Sequence, residues 1–253
     1  LGDCLNVLRE SVPDESIDLV YIDPPFNSKR DYNIFFDDKE IQTQRIAFED
    51  TWTLKNITDS LAELHTLKTD NLYYLLLTYQ KVSPHAFPYL TMMSLRILEL
   101  HRVLKPTGSF YLHCDPTMSH YLKTVCDVIF GAKNFINEIV WERMFGTGSS
   151  KTIAKKYPSN TDIILFYGKT EQFLFNVQKK PINEGAVKRY DKVDENGNRF
   201  KWADLRSYSK ERLEELLSKG EARFNPNAKN PVYKLYFDET KGTPISNLWT
   251  DLA

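Results

Sequence analysis

Cysteine is scarce in this chain, with three in 253 residues. Cys4, Cys114 and Cys126 are odd in number, and no pair of them stands at the spacing of a metal site. They read as buried thiols of a reducing cytoplasm, which excludes a disulfide scaffold and leaves a metal centre without ligands. Long apolar runs are lacking too. No stretch would span a bilayer and none reads as a signal peptide, so no membrane partner is expected. An excess of charge of either sign is also missing. The chain has 33 Lys+Arg against 34 Asp+Glu, a net charge of −1, which taken whole argues against a polyanionic partner.

The balance conceals an asymmetry. Arg143 to Lys234 holds 19 basic and 11 acidic residues, a net +8, and the rest of the chain carries −9. One basic segment on an otherwise acidic chain is what a surface facing a polyanion needs. A solvated mixed-charge surface is the other reading. Within that segment, Lys151, Lys155 and Lys156 follow a GTGSS stretch. Small residues and lysines suit a mobile basic loop that neutralises phosphates, with Arg143 at its start. A glycine-rich cofactor loop is the less favoured reading. The segment soon meets Pro158, so no long helix would present its N-terminus to a ligand. Apolar residues make up 42% of the chain, enough for an ordinary folded core. Its length allows one large domain, or one with a smaller companion.

What is present is organised around Ile17 to Phe36, IDLVYIDPPFNSKRDYNIFF. Ile17 to Ile22 is a short, nearly continuous apolar run, expected to be a strand buried on both faces of a parallel sheet. It stops at Asp23-Pro24-Pro25-Phe26. The prolines lack N–H donors and cannot continue a central strand. Each also biases the residue before it toward extended geometry. A carboxylate and a carbonyl are thereby held at the strand's C-terminal end, where open α/β sheets bind ligands. Acceptors without a donor, followed by an aromatic ring, suit an amino group on a flat ring. Asp23 and Pro24 would accept its N–H groups, and Phe26 would stack on it.

The remaining pattern alternates helices and strands, as a doubly wound α/β sheet should. Ile41 to Tyr79 reads as a helical insertion. Phe87 to Leu104 is a helix, broken by Lys105-Pro106-Thr107-Gly108. Ser109 to His113 is a strand, and Met118 to Phe130 a helix capped by Asp115-Pro116-Thr117. Phe135 to Trp141 and Asp162 to Tyr167 are two further strands. His113 and His120 read as packed or hydrogen-bonded side chains rather than catalytic ones. From Gln178 the charges become dense. A turn is expected at Asp194–Gly197, a helix opened by Ser209, and a strand at Val232 to Phe237.

The tetrad DPPF, its continuation NSKRDYN, and RVLKPTGSFYLHCDPTMSHYL together resemble the β-class, circularly permuted, adenine-specific DNA amino-methyltransferases of restriction–modification systems. The likeness covers nearly the whole chain. It implies a Rossmann-like methyltransferase sheet, incomplete at both ends, with an inserted helical segment and a small α+β target-recognition region. The catalytic core would occupy 1–175, target recognition 176–248, and 249–253 would begin a cofactor-loop half. It further implies methyl transfer from S-adenosylmethionine to the amino group of a flipped adenine in a prokaryotic cytoplasm. Double-stranded DNA would be the partner, with a restriction subunit as a further candidate. Asp23, Pro24, Pro25 and Phe26 would be catalytic. Asp3, Cys4 and Asp23 would meet the cofactor, although Asp3 also reads as a helix cap. Asn27, Lys29, Arg30, Arg143, Lys151, Lys155 and Lys156 would meet DNA. For Lys29 and Arg30, a solvated loop pair is nearly as good a reading. No F-x-G-x-G loop and no T-Q-K-P segment occurs in the chain. The expectation is therefore a fragment without its main cofactor loop, inactive alone. Its first residues would be displaced or frayed, and its open strand edge would pair with another chain, a second copy among the candidates, or aggregate. Cytosine amino methylation, protein-glutamine methylation and a non-catalytic DNA-binding subunit remain alternatives. The first would more often show Ser in place of Asp23, and the second Asn.

Overall fold

The computed structural model describes residues 3–25, 31–38, 41–49, 57–67, 69–143, 157, 159–225, 229–238 and 242–250, with backbone alone for 31–49. The chain divides into two compact units, Leu1–Phe175 with Ser246–Ala253, and Asn176–Ile245.

The first unit opens with α1 (Cys4–Ser11), whose N-terminus is closed by Asp3 accepting from the Leu5 amide at 2.8 Å. Asp3 is thus a formed cap, also paired with Arg96, rather than a displaced end. Strand β1 (Ile17–Ile22) follows. It was expected to be buried on both faces, and it is not: Val20 is buried, whereas Leu19 is 58% and Tyr21 53% exposed. Val20 and Ile22 point into the core and the alternate residues point away from it. Among the described residues β1 pairs only with one strand and stands at the sheet's edge.

The expected helical insertion also needs correcting. Asp31–Asp38 (β2) and Ile41–Glu49 (β3) form an antiparallel ladder, Asp38 opposite Ile41 and Asp31 opposite Glu49. The β-branched Ile41, Thr43 and Ile46 favour the pleated state over the helix there. Helices α2 (Thr58–Thr66) and α3 (Asp70–Val82) take up the rest of the expected insertion.

Helix α4 (Phe87–Val103) is the hub of the unit. Twelve of its 17 residues are buried, including both methionines. A helix this apolar has to be covered on most of its faces, and α1, α2, α3 and the later helix Ser119–Cys126 all pack on it. Its two buried hydroxyls are satisfied within the helix, Thr91 donating to the Phe87 carbonyl and Ser94 to that of Leu90. The helix stops at Val103, and β4 (Leu104–Cys114) begins at once. Lys105-Pro106-Thr107-Gly108 does interrupt the pattern, but inside the strand. Ile17 pairs with Leu104 and Leu19 with Ser109, so the four residues between bulge out of the ladder. A Cβ on Gly108 would come within 2.9 Å of the Lys105 carbonyl and 2.8 Å of the Leu104 side chain, so the bulge needs glycine there.

Asp115 accepts from the Met118 amide and starts α5 (Ser119–Cys126), which widens into a π turn over Asp127–Gly131. The expected helix is thus present to its end, with a last turn that is π rather than α. Gly131, at φ +86°, turns the chain out of it. Strands β5 (Phe135–Glu142) and β6 (Thr161–Gly168) complete the unit. The sheet runs β1-β4-β6-β5 and then Leu248–Trp249. The β1–β4 and outermost pairs are parallel, and β6 is antiparallel to both its neighbours. With helices on it, this is a mixed-sheet α/β fold.

The second unit is small. It comprises β7 (Lys179–Lys180), α6 (Glu184–Val187), β8 (Lys192–Val193), β9 (Arg199–Asp204), α7 (Lys210–Ser218), β10 (Ala222–Arg223), β11 (Val232–Tyr236) and β12 (Thr243–Pro244). Its antiparallel sheet has the order β10-β11-β9-β8. The expected turn at Asp194–Gly197 joins β8 to β9, with Gly197 at φ +83°. Ser209 caps α7 by accepting from the Arg212 amide. The expected boundary at 248 moves to Ile245, because Leu248–Trp249 pair with β5 and return to the first unit.

Candidate functional site

The first unit's sheet places a row of polar side chains at the end of β1. Ile22 pairs with Leu112 in parallel, so the next residues along, Asp23 and His113, leave the ladder side by side. Asp23 Oδ1 lies 3.0 Å from His113 Nδ1. The antiparallel register then brings β6 alongside β4, with Cys114 opposite Ile163. Asp162 follows, its Oδ2 3.3 Å from His113 Nε2. On the next strand Trp141 stands opposite Asp162, and its ring meets the imidazole edge to face at 5.6 Å. Arg143, just past that strand, reaches back to put Nε 3.2 Å from the same Asp162 Oδ2. Four strands thus contribute to one line, Asp23–His113–Asp162–Arg143.

Burial differs along the line. The Asp23 side chain is 59% exposed, His113 7% and Asp162 2%. An ionised carboxylate as buried as Asp162 requires partners, and the imidazole and the guanidinium supply them. Asp23 is the end that solvent and ligands can reach. Burial and then the Asp23 carboxylate push the Tyr21 phenol up from its ordinary value, so it stays protonated at neutral pH. Burial, with Cys126 and nearby carboxylates behind it, pushes the Cys114 thiol up as well. That makes it an inert core sulfur rather than a nucleophile. Cys4 is exposed.

Of the residues singled out from sequence, Asp23, Pro24 and Pro25 stand together at this strand end. Asp3 and Cys4 open α1, and both oxygens of Asp3 are engaged, one by the cap and one by Arg96. Arg143 joins the line by way of Asp162. Phe26, Asn27, Lys29, Arg30, Lys151, Lys155 and Lys156, with the GTGSS stretch, lie outside the described residues. His113, Asp162 and Trp141 were not read as part of a site. The signal for His113 was present: it ends the SFYLH strand, as Asp23 ends IDLVYI. Asp162 opens an apolar strand, where a carboxylate is out of place without a partner. Among the described residues no group of His, Cys, Asp and Glu could hold a metal ion, and no helix is long and apolar enough to cross a membrane.

Fold and site together define an α/β protein that presents a partner-bound, exposed carboxylate and a proline carbonyl at the C-terminal end of a strand. A family model of DNA methylases, N6_N4_Mtase, matches residues 17–252, and the chain belongs to that family. The type III restriction–modification enzyme EcoP15I Mod subunit of Escherichia coli is 26% identical over 189 residues, covering 72% of this chain and 26% of that protein. The StyLTI Mod subunit of Salmonella typhimurium is 24% identical over 287 residues, covering 100% of this chain and 40% of its own length. The chain therefore spans well under half the length of these relatives. Among solved structures, the cytosine-N4-specific PvuII DNA methyltransferase matches at 18% identity and a TM-score of 0.36, covering 91% of this chain and 64% of the other. At that score the likeness says nothing further about this chain.

Proposed function

We propose that this chain carries the base-binding side of a site-specific DNA amino-methyltransferase whose acceptor is the exocyclic amino group of adenine. The observation that carries this reading is Asp23, an exposed carboxylate that His113 meets at a strand end, directly before Pro24. The amino nitrogen of a base is out of reach in the stack, so the base is flipped out at a cost of a few kcal/mol, roughly. Asp23 and the Pro24 carbonyl accept its two N–H groups, and Phe26 stacks on the ring. These hydrogen bonds draw the nitrogen lone pair out of conjugation and toward the incoming methyl. The released proton passes to Asp23 or to water. The acceleration comes from positioning and from oriented acceptors.

S-adenosylmethionine, when bound, supplies the electrophilic methyl. The donor set of this chain fits it at one point. Asp3 is half-exposed, and each of its oxygens retains a lone pair beyond the cap and the Arg96 pair, so it can accept from the cofactor's amino group. Cys4 would lie beside it. On this reading Asn27, the cations Lys29, Arg30 and Arg143, and Lys151, Lys155 and Lys156 flank DNA phosphates, and 176–245 serves target recognition. In that unit Arg223 lies over Trp202 at 4.2 Å and Lys234 over Phe200 at 5.2 Å. Such cation–aromatic pairs suit a nucleic-acid surface. A restriction subunit is a candidate partner, as for proteins named Mod subunits.

The test is methylation of unmethylated plasmid DNA by the intact protein, followed by digestion to nucleosides and mass spectrometry. N6-methyladenine is the expected product; N4-methylcytosine would reassign the base. Asp23→Ala should lower single-turnover transfer by about 2.7–4 kcal/mol of barrier while leaving DNA affinity within a few-fold. Transfer at the wild-type rate would remove Asp23 from the site.

A further inference from the structure

The carboxylate on which the proposed reaction turns is not positioned by its backbone alone. Asp23 sits past the last paired residue of an edge strand, with more than half its side chain in solvent. Left to itself, such a side chain would rotate among several orientations. Among the described residues one group restrains it. His113 Nδ1 approaches Oδ1 to 3.0 Å, and a carboxylate only accepts, so the ring donates. The ring in turn is almost fully buried. On its far side Asp162 Oδ2 lies 3.3 Å from Nε2, and Trp141 abuts the ring. Arg143 secures Asp162 at 3.2 Å.

We propose that His113 is the positioning residue for Asp23: it occupies one carboxylate oxygen and so leaves Oδ2 as the oxygen that meets the amino group. The assignment rests on the reading of Asp23 as the acceptor for the base. Each element of the line has a reason in this geometry. A buried His–Asp pair whose only purpose was core packing would be dearer than an apolar pair of the same volume. Here the pair ends on the one exposed carboxylate of the line. Asp162 and the Trp141 ring confine the imidazole on its buried side. Arg143 keeps that buried charge compensated. His113 touches no reacting atom on this account and acts only through Asp23.

The experiment uses the intact protein with unmethylated plasmid DNA and tritiated S-adenosylmethionine, comparing His113→Phe and His113→Asn. Phenylalanine fills the space without a donor. Asparagine places an amide N–H near the position of Nδ1. His113→Phe should lower kcat roughly 10- to 100-fold, the scale of a misplaced reacting group, with the KM for DNA within about threefold. His113→Asn should recover most of the loss. A kcat unchanged in His113→Phe, or a loss that appears in KM alone, overturns the proposal. So does an asparagine variant that folds yet works no better than phenylalanine. If His113→Phe does not fold by circular dichroism, the asparagine variant decides against wild type, and a kcat within about tenfold is required. A second readout needs no activity. The 15N resonance of His113 Nδ1 should move in Asp23→Asn, and an unmoved resonance overturns the contact. A wild-type protein that transfers no methyl at all would instead remove the functional reading, and the 15N shift would still decide whether His113 holds Asp23.

Discussion

The two units solve the problem of burying polar groups differently. The first packs helices and sheet around α4 and gives several of the polar side chains in its interior a partner. Thr91 and Ser94 bond within their helix, Asn134 donates to the Phe130 carbonyl, and Asp162 has His113 and Arg143. Among its described residues the second has few that are buried, Phe200, Leu216, Ala222, Pro231 and Val232. It keeps its charges at the surface, several of them lying over aromatic rings. A deep core can hold a row of charges in fixed positions, which reactive chemistry requires. A shallow one exposes a broad charged surface, which suits reading a long ligand.

The largest effect expected of this difference is in the cores. Leu95→Ala, in the middle of α4, should destabilise the first unit by about 4 kcal/mol, because packed neighbours on every side cannot collapse into the space. Leu216→Ala, in α7, should cost about 2 kcal/mol, near the low end for such changes, since its thin surroundings can close. Urea unfolding of the two variants gives the ratio, and equal losses would mean that the second unit is as tightly packed as the first. Next in size is the cap of α7. Ser209→Ala should cost about 1 kcal/mol and act on the second unit alone. Hydrogen exchange should then quicken in 176–245 and stay unchanged in β4 and β6.

These contrasts also explain what sequence could disclose. The strand at Ile17, the helix at Phe87, the Asp115 and Ser209 caps and the Asp194–Gly197 turn were all legible, because each rests on a local signal: an apolar run, a 3.6-residue period, a side-chain oxygen at a helix start. Strand β3 was missed because IQTQRIAFE has no strict alternation, and its pairing with β2 supplies what its pattern lacks. The exposure of Leu19 and Tyr21 was missed because a single strand cannot report how many neighbours it has. At the site, Asp23 was legible from the prolines that follow it. His113 and Asp162 were not, since they lie 90 and 139 positions away and only the sheet register brings them to it.

A smaller effect tests whether charge acts collectively in the basic segment. On the proposed function, Lys151, Lys155 and Lys156 neutralise phosphates. Changing all three to glutamine should weaken binding to every DNA sequence alike. The slope of log affinity against log salt should flatten by about 0.9 for each phosphate that is no longer neutralised. A slope that does not change would make these lysines a solubilising surface and leave the polyanion reading to the rest of the segment.

The smallest effect belongs to an exposed pair in the first unit, and it marks where the rule of partnered charges stops mattering. Lys105 reaches Asp18 with Nζ 2.8 Å from both carboxylate oxygens. By distance this pair is closer than His113–Asp162 or Arg143–Asp162. Yet Asp18 is largely in solvent, and Lys105 is the first residue of the bulge, so water screens the pair and little desolvation has to be offset. Lys105→Met should therefore change stability by under about 1 kcal/mol, less still in high salt. Asp162→Ala should be far worse, by about 3–5 kcal/mol, because it strands a buried imidazole that had a carboxylate beside it. Thermal unfolding of both variants at low and high salt separates the two cases. If Lys105→Met proved as damaging as Asp162→Ala, distance rather than burial would govern the charges of this sheet, and the buried His113–Asp162 pair would lose its claim to be special.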